Sequence, residues 1–273
     1  MTERDTSDLE VTALLEAIYH AYHYDFRSYA EASMRRRIRA ALAHFRLQTI
    51  ARLRERVLDD PRVFSELLRF LTVQVSDMFR DPLYFRALRE HVVPYLQTYA
   101  SLKVWVAGCA TGEEAYSLAI LLFEEKLLHR TLIYATDIRP DSLRVAAEGI
   151  YDPARFVRFS DNYRLAGGRA SLSDYYAAAY QGAVLHRRFR NAIVFSDHSL
   201  ATDSAFAEVQ LVSCRNVLIY FERDLQDRAV GVLRQALCRK GFLGLGLKET
   251  LRFTTQAAAF TEYVPNARIY QRL

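Results

Sequence analysis

The sequence predicts an α/β protein in which an all-helical N-terminal segment precedes an open β-sheet with crossover helices. Up to residue 100, apolar residues recur at helical spacing, and the first glycine is Gly108, which favours helices. After residue 100, short apolar runs alternate with helical patterns. Such alternation is typical of parallel strands joined by helices.

The composition is that of a globular protein with a real core. The chain has 273 residues, of which 51% are hydrophobic, and this length suits one or two domains. The polar N-terminus is unlike a signal peptide, and no uncharged apolar run reaches about 20 residues, so we expect no membrane insertion. Cys109, Cys214 and Cys238 form no C-x-x-C pair, which fits reduced thiols in a cytoplasmic protein. The seven histidines show no metal-ligand spacing, so no metal is expected.

The predicted elements give an order along the chain. Helices are expected over 11–22, around 38–45 and around 63–71, and we take residues 1–85 as a helical domain and 86–100 as a linker helix region. Residues 101–273 form the second domain, with strands predicted over 102–107, 131–136, 192–195, 209–213 and 241–246. Helices are predicted over 116–128, 141–148 and 223–237. Residues 151–190 break the alternation and are predicted to be an inserted subdomain with short strands.

Charge is unevenly distributed within the helical domain. The net charge of the chain is +5, too small by itself to indicate nucleic-acid binding. Residues 1–34 hold two arginines and seven acidic residues, whereas residues 35–56 hold eight arginines and Glu55 as the one acid. This basic stretch is either a solvated helix face or a docking surface for nucleic acid or an acidic helix bundle. No aromatic residues alternate with these arginines as a stacking ladder, which argues against single-stranded nucleic acid.

The strongest local signal is a glycine loop directly after the first predicted strand. Gly108 and Gly112 flank three small residues, and ligands of open α/β sheets bind at the carboxyl ends of the strands. The loop lacks both G-x-G-x-x-G and the lysine of a phosphate-binding loop. Glu113 and Glu114 follow at once; they either stabilise the helix dipole or favour a cationic, phosphate-free nucleoside.

Asp137 ends the second predicted strand. A carboxylate at this place can accept hydrogen bonds from both ribose hydroxyls of a nucleoside. The alternative is an N-cap or turn residue, since Arg139, Pro140 and Asp141 follow. A glycine loop, an acidic helix start and a ribose-positioned carboxylate together suggest S-adenosylmethionine, whose sulfonium is positive and which carries no phosphate.

The glycine loop and Asp137 belong to a longer set of segments that match a known protein family. Over nearly its whole length the sequence resembles the chemotaxis receptor glutamate O-methyltransferases, the CheR family. The matching pieces are Tyr24-Asp-Phe26, Arg36-Arg-Ile38, Met78-Phe-Arg-Asp81, Trp105-Val-Ala-Gly-Cys-Ala-Thr-Gly-Glu-Glu114 with Tyr116-Ser117, Ala135-Thr-Asp-Ile138, Cys214-Arg-Asn-Val-Leu-Ile-Tyr-Phe221 and Gly246-Leu-Lys-Glu249.

The resemblance implies a Rossmann-like S-adenosylmethionine-dependent methyltransferase domain with a small inserted β-subdomain, preceded by an all-helical domain. It implies S-adenosyl-L-methionine as the methyl donor, S-adenosyl-L-homocysteine as the product, and glutamate side chains of chemoreceptors as the acceptors. The expected partner is the cytoplasmic helical bundle of a chemoreceptor, with no nucleic acid, and the enzyme is expected to be a cytoplasmic bacterial monomer.

The resemblance also implies roles for individual residues. Arg80 and Tyr220 would lie close to the transferring methyl group; by residue type alone, Arg80 pairs with Asp77 or Asp81, and Tyr220 is a core aromatic. The cofactor would be lined by Gln74, Ser76, Arg80, Gly108, Ala110, Gly112, Glu114, Asp137, Ser199, Leu200 and Arg215. Receptor docking would use Arg35, Arg36 and Arg39. The family usually has asparagine in place of both Gln74 and Ser199, and both replacements still form hydrogen bonds.

Methylation of a glutamate side chain needs little acid–base catalysis. A glutamate with a pKa near ~4.3 is already ionised at neutral pH, so its methylation needs no general base. Two other functions remain alternatives at this point: a non-catalytic S-adenosylmethionine-binding module that docks a partner, and a methyltransferase acting on nucleic acid or a small molecule.

Overall fold

The computed structural model describes residues 3–180 and 182–273, and side chains from residue 8 onward. The chain forms two compact units. Unit 1 comprises the chain as far as Val73 together with Ser199–Asp203 and Tyr220–Ala229, and unit 2 comprises Gln74–His198, Ser204–Ile219 and Val230–Leu273. Each unit therefore contains residues that are distant in the sequence.

Unit 1 is built from helices. Its helices are α1 (Glu3–Tyr22), α2 (Glu31–Phe45), α3 (Ile50–Asp59), α4 (Pro61–Leu71) and the first part of α11 (Arg223–Ala236). The side chain of Thr49 caps α3 by accepting from the N–H of Arg52 at 3.3 Å, and Asp60 caps α4 by accepting from the N–H of Arg62 at 2.9 Å. Helix α3 was not predicted as a separate helix, because its buried residues Ile50, Leu53 and Val57 alternate with the arginines of the basic stretch.

Unit 2 contains a seven-stranded sheet and a small three-stranded one. The strands are β1 (Leu102–Ala107), β2 (Thr131–Asp137), β3 (Ile150–Tyr151), β4 (Tyr176–Ala179), β5 (Gly182–Leu185), β6 (Ile193–Asp197), β7 (Val209–Cys214), β8 (Leu237–Leu245), β9 (Phe260–Val264) and β10 (Ile269–Arg272). The large sheet has the order β6-β2-β1-β7-β8-β10-β9, and the small sheet has the order β3-β5-β4. The first five strands of the large sheet are parallel, and β10 and β9 are antiparallel.

Helices cover unit 2 between its strands. They are α5 (Pro82–Ala87), α6 (Val93–Leu96), α7 (Glu113–Glu124), α8 (Pro140–Glu148), α9 (Phe156–Leu165), α10 (Arg187–Arg190) and the remainder of α11, with a π-helical turn at Leu88–Val92. The predicted α/β class and the inserted subdomain are confirmed, and the subdomain is an antiparallel sheet with α9. The sheet continues beyond the predicted strands in an antiparallel β9–β10 hairpin, which was not predicted from the sequence. Strand β9 exposes three consecutive residues, so it shows no apolar run to detect.

The parallel order positions the loops that matter for function. Strand β1 lies between β2 and β7, so the loops that follow these three strands leave the same edge of the sheet. The indole N–H of Trp105, fully buried on β1, donates to Thr136 Oγ1 at 2.9 Å and fixes the two neighbouring strand ends together. Within the described ranges, no helix is both long and apolar enough to span a membrane.

Candidate functional site

The glycine loop after β1 is tightly packed within unit 2. Gly108 has φ +76° and Gly112 has φ +92°, a region that side-chain-bearing residues rarely adopt. A Cβ on Gly108 would lie 2.4 Å from Cγ2 of Val217, and one on Gly112 would lie 2.8 Å from Cβ of Ala146. Both glycines are therefore required by conformation and by space. Ala110 between them also has a positive φ of 49°.

Asp137 holds this loop through its carboxylate. Oδ2 accepts from the backbone N–H of Ala110 at 2.8 Å, and Oδ1 accepts from the backbone N–H of Arg139 at 3.1 Å. The bond to Arg139 closes a turn, so Oδ1 has the role expected of a turn residue. Binding of the ribose by Asp137 stays a prediction. Burial raises the pKa of Asp137 above its usual value, and the two N–H bonds partly oppose that rise.

Gln74 connects Asp137 to α8. Its Oε1 accepts from Oγ of Ser142 at 2.7 Å, and a side-chain hydrogen bond from Gln74 also lowers the pKa of Asp137 somewhat. Ser142 is 3% exposed and was not among the residues predicted from the sequence. Glutamine reaches further than asparagine, and this length allows Gln74 to contact Ser142 on α8. The sequence signal for this contact was a serine in the first turn of a helix that begins at Pro140.

The two carboxylates at the start of α7 are both held by other side chains. Glu113, fully buried, forms an ion pair with Nη1 of Arg155 at 2.7 Å and accepts from the Thr111 hydroxyl. Glu114 accepts from Oγ of Ser213 at 2.6 Å and from Nη1 of Arg215 at 3.0 Å. Their charge is thus matched inside the protein, which the sequence analysis did not anticipate.

Arg215 connects three parts of unit 2. Its side chain is 1% exposed and lies over the ring of Tyr84, 4.3 Å from the ring centroid. Nη2 donates to the carbonyl of Arg80 at 3.0 Å and forms an ion pair with Asp81 at 2.6 Å. Together with the bond to Glu114, these contacts fix the end of β7 to α7 and to residues 80–81.

Arg80 is only partly buried, and its side chain donates from Nη1 to the carbonyl of Val75 at 2.9 Å. The neighbouring carboxylates pair with other arginines, Asp77 with Arg155 at 3.5 Å and Asp81 with Arg215 at 2.6 Å. The ion-pair interpretation of Arg80 therefore does not describe its contacts. Ser76 contributes its carbonyl to Arg155 at 2.5 Å.

Of the twelve predicted cofactor and catalytic residues, Ser199, Leu200 and Tyr220 belong to unit 1 and the other nine belong to unit 2. Tyr220 is half-buried, its ring lies 4.8 Å from the guanidinium carbon of Arg37, and its carbonyl accepts from the N–H of Ala30 at 2.8 Å. The Ser199 hydroxyl accepts from the N–H of Ala201 at 3.3 Å, and Leu200 is buried.

The arginines of α2 differ in their surroundings. Arg36 and Arg39 are exposed. Arg35 forms ion pairs with Asp8 and Glu31, and Arg37 is buried, with a side-chain hydrogen bond to the carbonyl of Leu71. Arg35 and Arg37 therefore stabilise unit 1 through side-chain contacts, whereas Arg36 and Arg39 are exposed on the helix.

The described ranges contain no group of three or more histidine, cysteine, aspartate or glutamate residues that could hold a metal ion. Cys109 and Cys214 are buried, and burial raises the pKa of both thiols well above the usual value. Such thiols are poor nucleophiles at neutral pH.

Two family models match this chain. The family model described as CheR methyltransferase, SAM binding domain, matches residues 74–264, and the model described as CheR methyltransferase, all-alpha domain, matches residues 9–72. The chain is 54% identical over 272 residues to a Pseudomonas putida protein named as methyltransferase Cher3, and the match covers 100% of both chains.

Two further relatives are more distant. The chain is 30% identical over 229 residues to the chemotaxis protein methyltransferase of Listeria innocua, which covers 83% of this chain and 84% of that protein. It is 32% identical over 246 residues to an uncharacterized 104.1 kDa protein of Rhodobacter capsulatus, which covers 87% of this chain and 25% of that one. The chain therefore belongs to the CheR methyltransferase family and is an S-adenosylmethionine-dependent methyltransferase with the two domains of that family.

Proposed function

We propose that the protein transfers the methyl group of S-adenosylmethionine to glutamate side chains of chemoreceptors, forming glutamate methyl esters and S-adenosylhomocysteine. The proposal is supported by the family and by the name of the Listeria relative. The structural observation that supports it most is the buried carboxylate of Asp137, bound to the glycine loop at the end of β2.

The residues of this edge fit a nucleoside that carries no phosphate. S-adenosylmethionine supplies an electrophilic methyl group on a sulfonium when it is bound. Beyond its two backbone N–H bonds and the hydrogen bond from Gln74, Asp137 retains about one acceptor site for a ribose hydroxyl, since a carboxylate has about four. Glycines 108 and 112 expose backbone to close approach. Arg215 and Arg155 are engaged with Glu114 and Glu113, so these guanidinium groups are already neutralised and do not form a phosphate clamp.

The acceptor needs orientation more than activation. A glutamate carboxylate is already nucleophilic at neutral pH, so the protein contributes mainly positioning and exclusion of water. We assign Arg80 to orient the acceptor carboxylate through its planar guanidinium. We assign Tyr220 to pack its ring against the methyl or sulfonium group.

Receptor docking is assigned to α2. Arg36 and Arg39 are exposed and have the charge that an acidic helical bundle requires. Arg35 shares its charge with Asp8 and Glu31, so we expect it to contribute less. The proposed substrate places the enzyme in the cytoplasm, and we propose that it acts as a monomer.

The deciding experiment measures the chemical class of the product. The protein is incubated with methyl-labelled S-adenosylmethionine and receptor-bearing membranes, and the washed membranes are treated with alkali. Glutamate methyl esters release labelled methanol, whereas N-methyl and C-methyl products do not. Alkali-labile label on the receptor supports the proposal. Alkali-stable label, or no label although the cofactor binds, contradicts it.

A further inference from the structure

Glu249 is a buried carboxylate that accepts four backbone hydrogen bonds. It is 4% exposed, and it follows β8 in the Gly-Leu-Lys-Glu motif. Its Oε2 accepts from the N–H groups of Gly246 at 2.6 Å and Asn216 at 2.8 Å. Its Oε1 accepts from those of Val217 at 2.9 Å and Ile219 at 3.2 Å. It forms no ion pair within the part of the chain that the structure describes.

This arrangement suits a carboxylate and no other side chain. An ionised glutamate is acceptor-only with about four sites, whereas glutamine of the same size would direct an NH₂ group at backbone N–H donors. Burial raises the pKa of Glu249, and the backbone hydrogen bonds oppose that rise. A buried carboxylate is tolerated only when its acceptor sites are satisfied, and here they are satisfied by the backbone itself.

The segment that Glu249 holds connects two residues of the proposed site. Residues 216–219 run from Arg215, which binds Glu114 and the backbone of Arg80, to Tyr220. Asn216 has φ +61°, so the segment begins in a conformation that needs support from its surroundings. Val217 in the same segment fills the space against Gly108. The segment is thus set between the glycine loop and Glu249.

We propose that Glu249 is a positioning residue for methyl transfer, acting through the backbone of residues 216–219, which leads directly into Tyr220. This inference rests on the proposed function, because it takes Tyr220 as a residue of the methyl-transfer site. It assigns no contact of Glu249 with substrate or cofactor. A misplacement of about 1 Å at such a site can cost about a hundredfold in rate.

The test compares Glu249→Gln with the matched control Glu124→Gln. Glu124 is also a buried carboxylate of unit 2, and it accepts from the Tyr175 hydroxyl at 2.8 Å and the Arg169 N–H at 3.1 Å. We expect kcat of the Glu249→Gln protein to fall about tenfold or more, with Kd for S-adenosylhomocysteine within about threefold of wild type. The Glu124→Gln protein should keep its kcat. Equal kcat for wild type and Glu249→Gln would overturn the inference.

A double-mutant cycle separates positioning from general destabilisation. If Glu249 acts through Tyr220, adding Glu249→Gln to Tyr220→Ala should lower kcat by less than about twofold beyond Tyr220→Ala alone, because coupled residues are non-additive. Full multiplication of the two losses would contradict the inference. Should Glu249→Gln not fold by circular dichroism, Glu249→Asp, which keeps the charge with a shorter reach, takes its place with the same criteria. Failure of the proposed function is distinguishable, since wild type itself would then form no alkali-labile ester.

Discussion

Nη1 of Arg215 donates to the carboxylate of Glu114 at 3.0 Å, across 101 positions of sequence. The same guanidinium binds Asp81, so one buried arginine is shared by two carboxylates. Removing one partner of a buried ion pair strongly lowers the free energy of unfolding, because the remaining charge is left buried without a partner.

We therefore expect Arg215→Ala to lower the free energy of unfolding by about 3 kcal/mol or more, measured by urea denaturation. The control is Arg164→Ala, which removes a pair with Asp161 whose side chains are 75% and 65% exposed. Exposed pairs contribute about 1 kcal/mol or less. Equal losses in the two variants would show that the Arg215 contacts are not energetically important.

Asp137 should make cofactor binding dependent on pH. Its ionised carboxylate is the form that accepts from a ribose hydroxyl, and burial raises its pKa, so affinity should weaken as the pH falls, at a higher pH than for an exposed aspartate. The folded state binds this proton more tightly than the unfolded state, so protonation of this group does not itself destabilise the fold.

Isothermal titration calorimetry with S-adenosylhomocysteine between pH 7 and about pH 4 measures this effect. We expect Asp137→Asn to raise Kd about tenfold to a hundredfold at pH 7, which is the loss of a charge-assisted hydrogen bond, and to flatten the pH profile. Wild-type affinity of the Asp137→Asn protein for S-adenosylhomocysteine would contradict the prediction that Asp137 binds the ribose.

Arg80 should matter for turnover more than for cofactor binding. We expect Arg80→Ala to lower kcat for receptor methylation about a hundredfold, since an unoriented acceptor loses the benefit of positioning. Kd for S-adenosylhomocysteine should rise by a smaller factor than kcat falls, since Arg80 is also a predicted cofactor-lining residue. Arg80→Lys keeps the charge without the planar fork and should restore only part of the rate. Full turnover by Arg80→Ala, with cofactor binding unchanged, would exclude the proposed role.

Reversal of the exposed arginines of α2 should weaken receptor use selectively. Arg36→Glu and Arg39→Glu are expected to raise KM for the receptor severalfold, more strongly at low salt, with Kd for S-adenosylhomocysteine unchanged. Arg35→Glu should show a smaller docking effect together with lower stability, because it also loses two ion pairs.

Arg52→Glu is the matched control for these reversals. Arg52 lies on α3 in the same basic stretch and pairs with Glu55 at 2.9 Å. If Arg52→Glu raises KM as much as Arg36→Glu and Arg39→Glu do, the effect comes from net charge and not from an α2 docking surface.

Glu124 should contribute to acid sensitivity of the fold. Burial alone would raise its pKa, but hydrogen bonds from Tyr163, the Arg169 N–H and Tyr175, together with Arg89, lower it below its usual value of 4.5. Its stabilisation is therefore present above pH 4.5 and is lost as the pH falls through the lowered pKa. The difference in Tm between wild type and Glu124→Gln should be largest at pH 7 and shrink below about pH 4. A constant difference across this range would contradict the assignment.

The sequence was sufficient for features that depend on local pattern. The strand before Gly108, the glycine loop and the strand that ends at Asp137 are each visible as short apolar runs with their turn residues, and the structure confirms them. The helical domain and the inserted subdomain follow from the same kind of signal. The family resemblance, which the matching domains confirm, extended this to the reaction.

The contacts that hold the site could not be predicted in this way. Glu249 and Asn216 are separated by 33 positions, and Arg215 and Asp81 by 134, so no periodicity connects them. The arginines of α2 form one charge run in sequence, and only the packing of the helix distinguishes buried Arg37 from exposed Arg36. The roles of Arg80, Tyr220 and the cofactor-lining residues stay predictions for the experiments above.

The membership of Tyr220–Ala229 in unit 1 has a consequence for dissecting the protein. Tyr29 packs against Phe221 with ring centroids 4.9 Å apart, and Glu222 donates its N–H to the carbonyl of Ser28 at 2.9 Å. A fragment ending at Val73 would lack these partners and would leave apolar helix surface uncovered. A single cleavage after Val73 therefore separates the helices of unit 1 from the later segments that complete that unit.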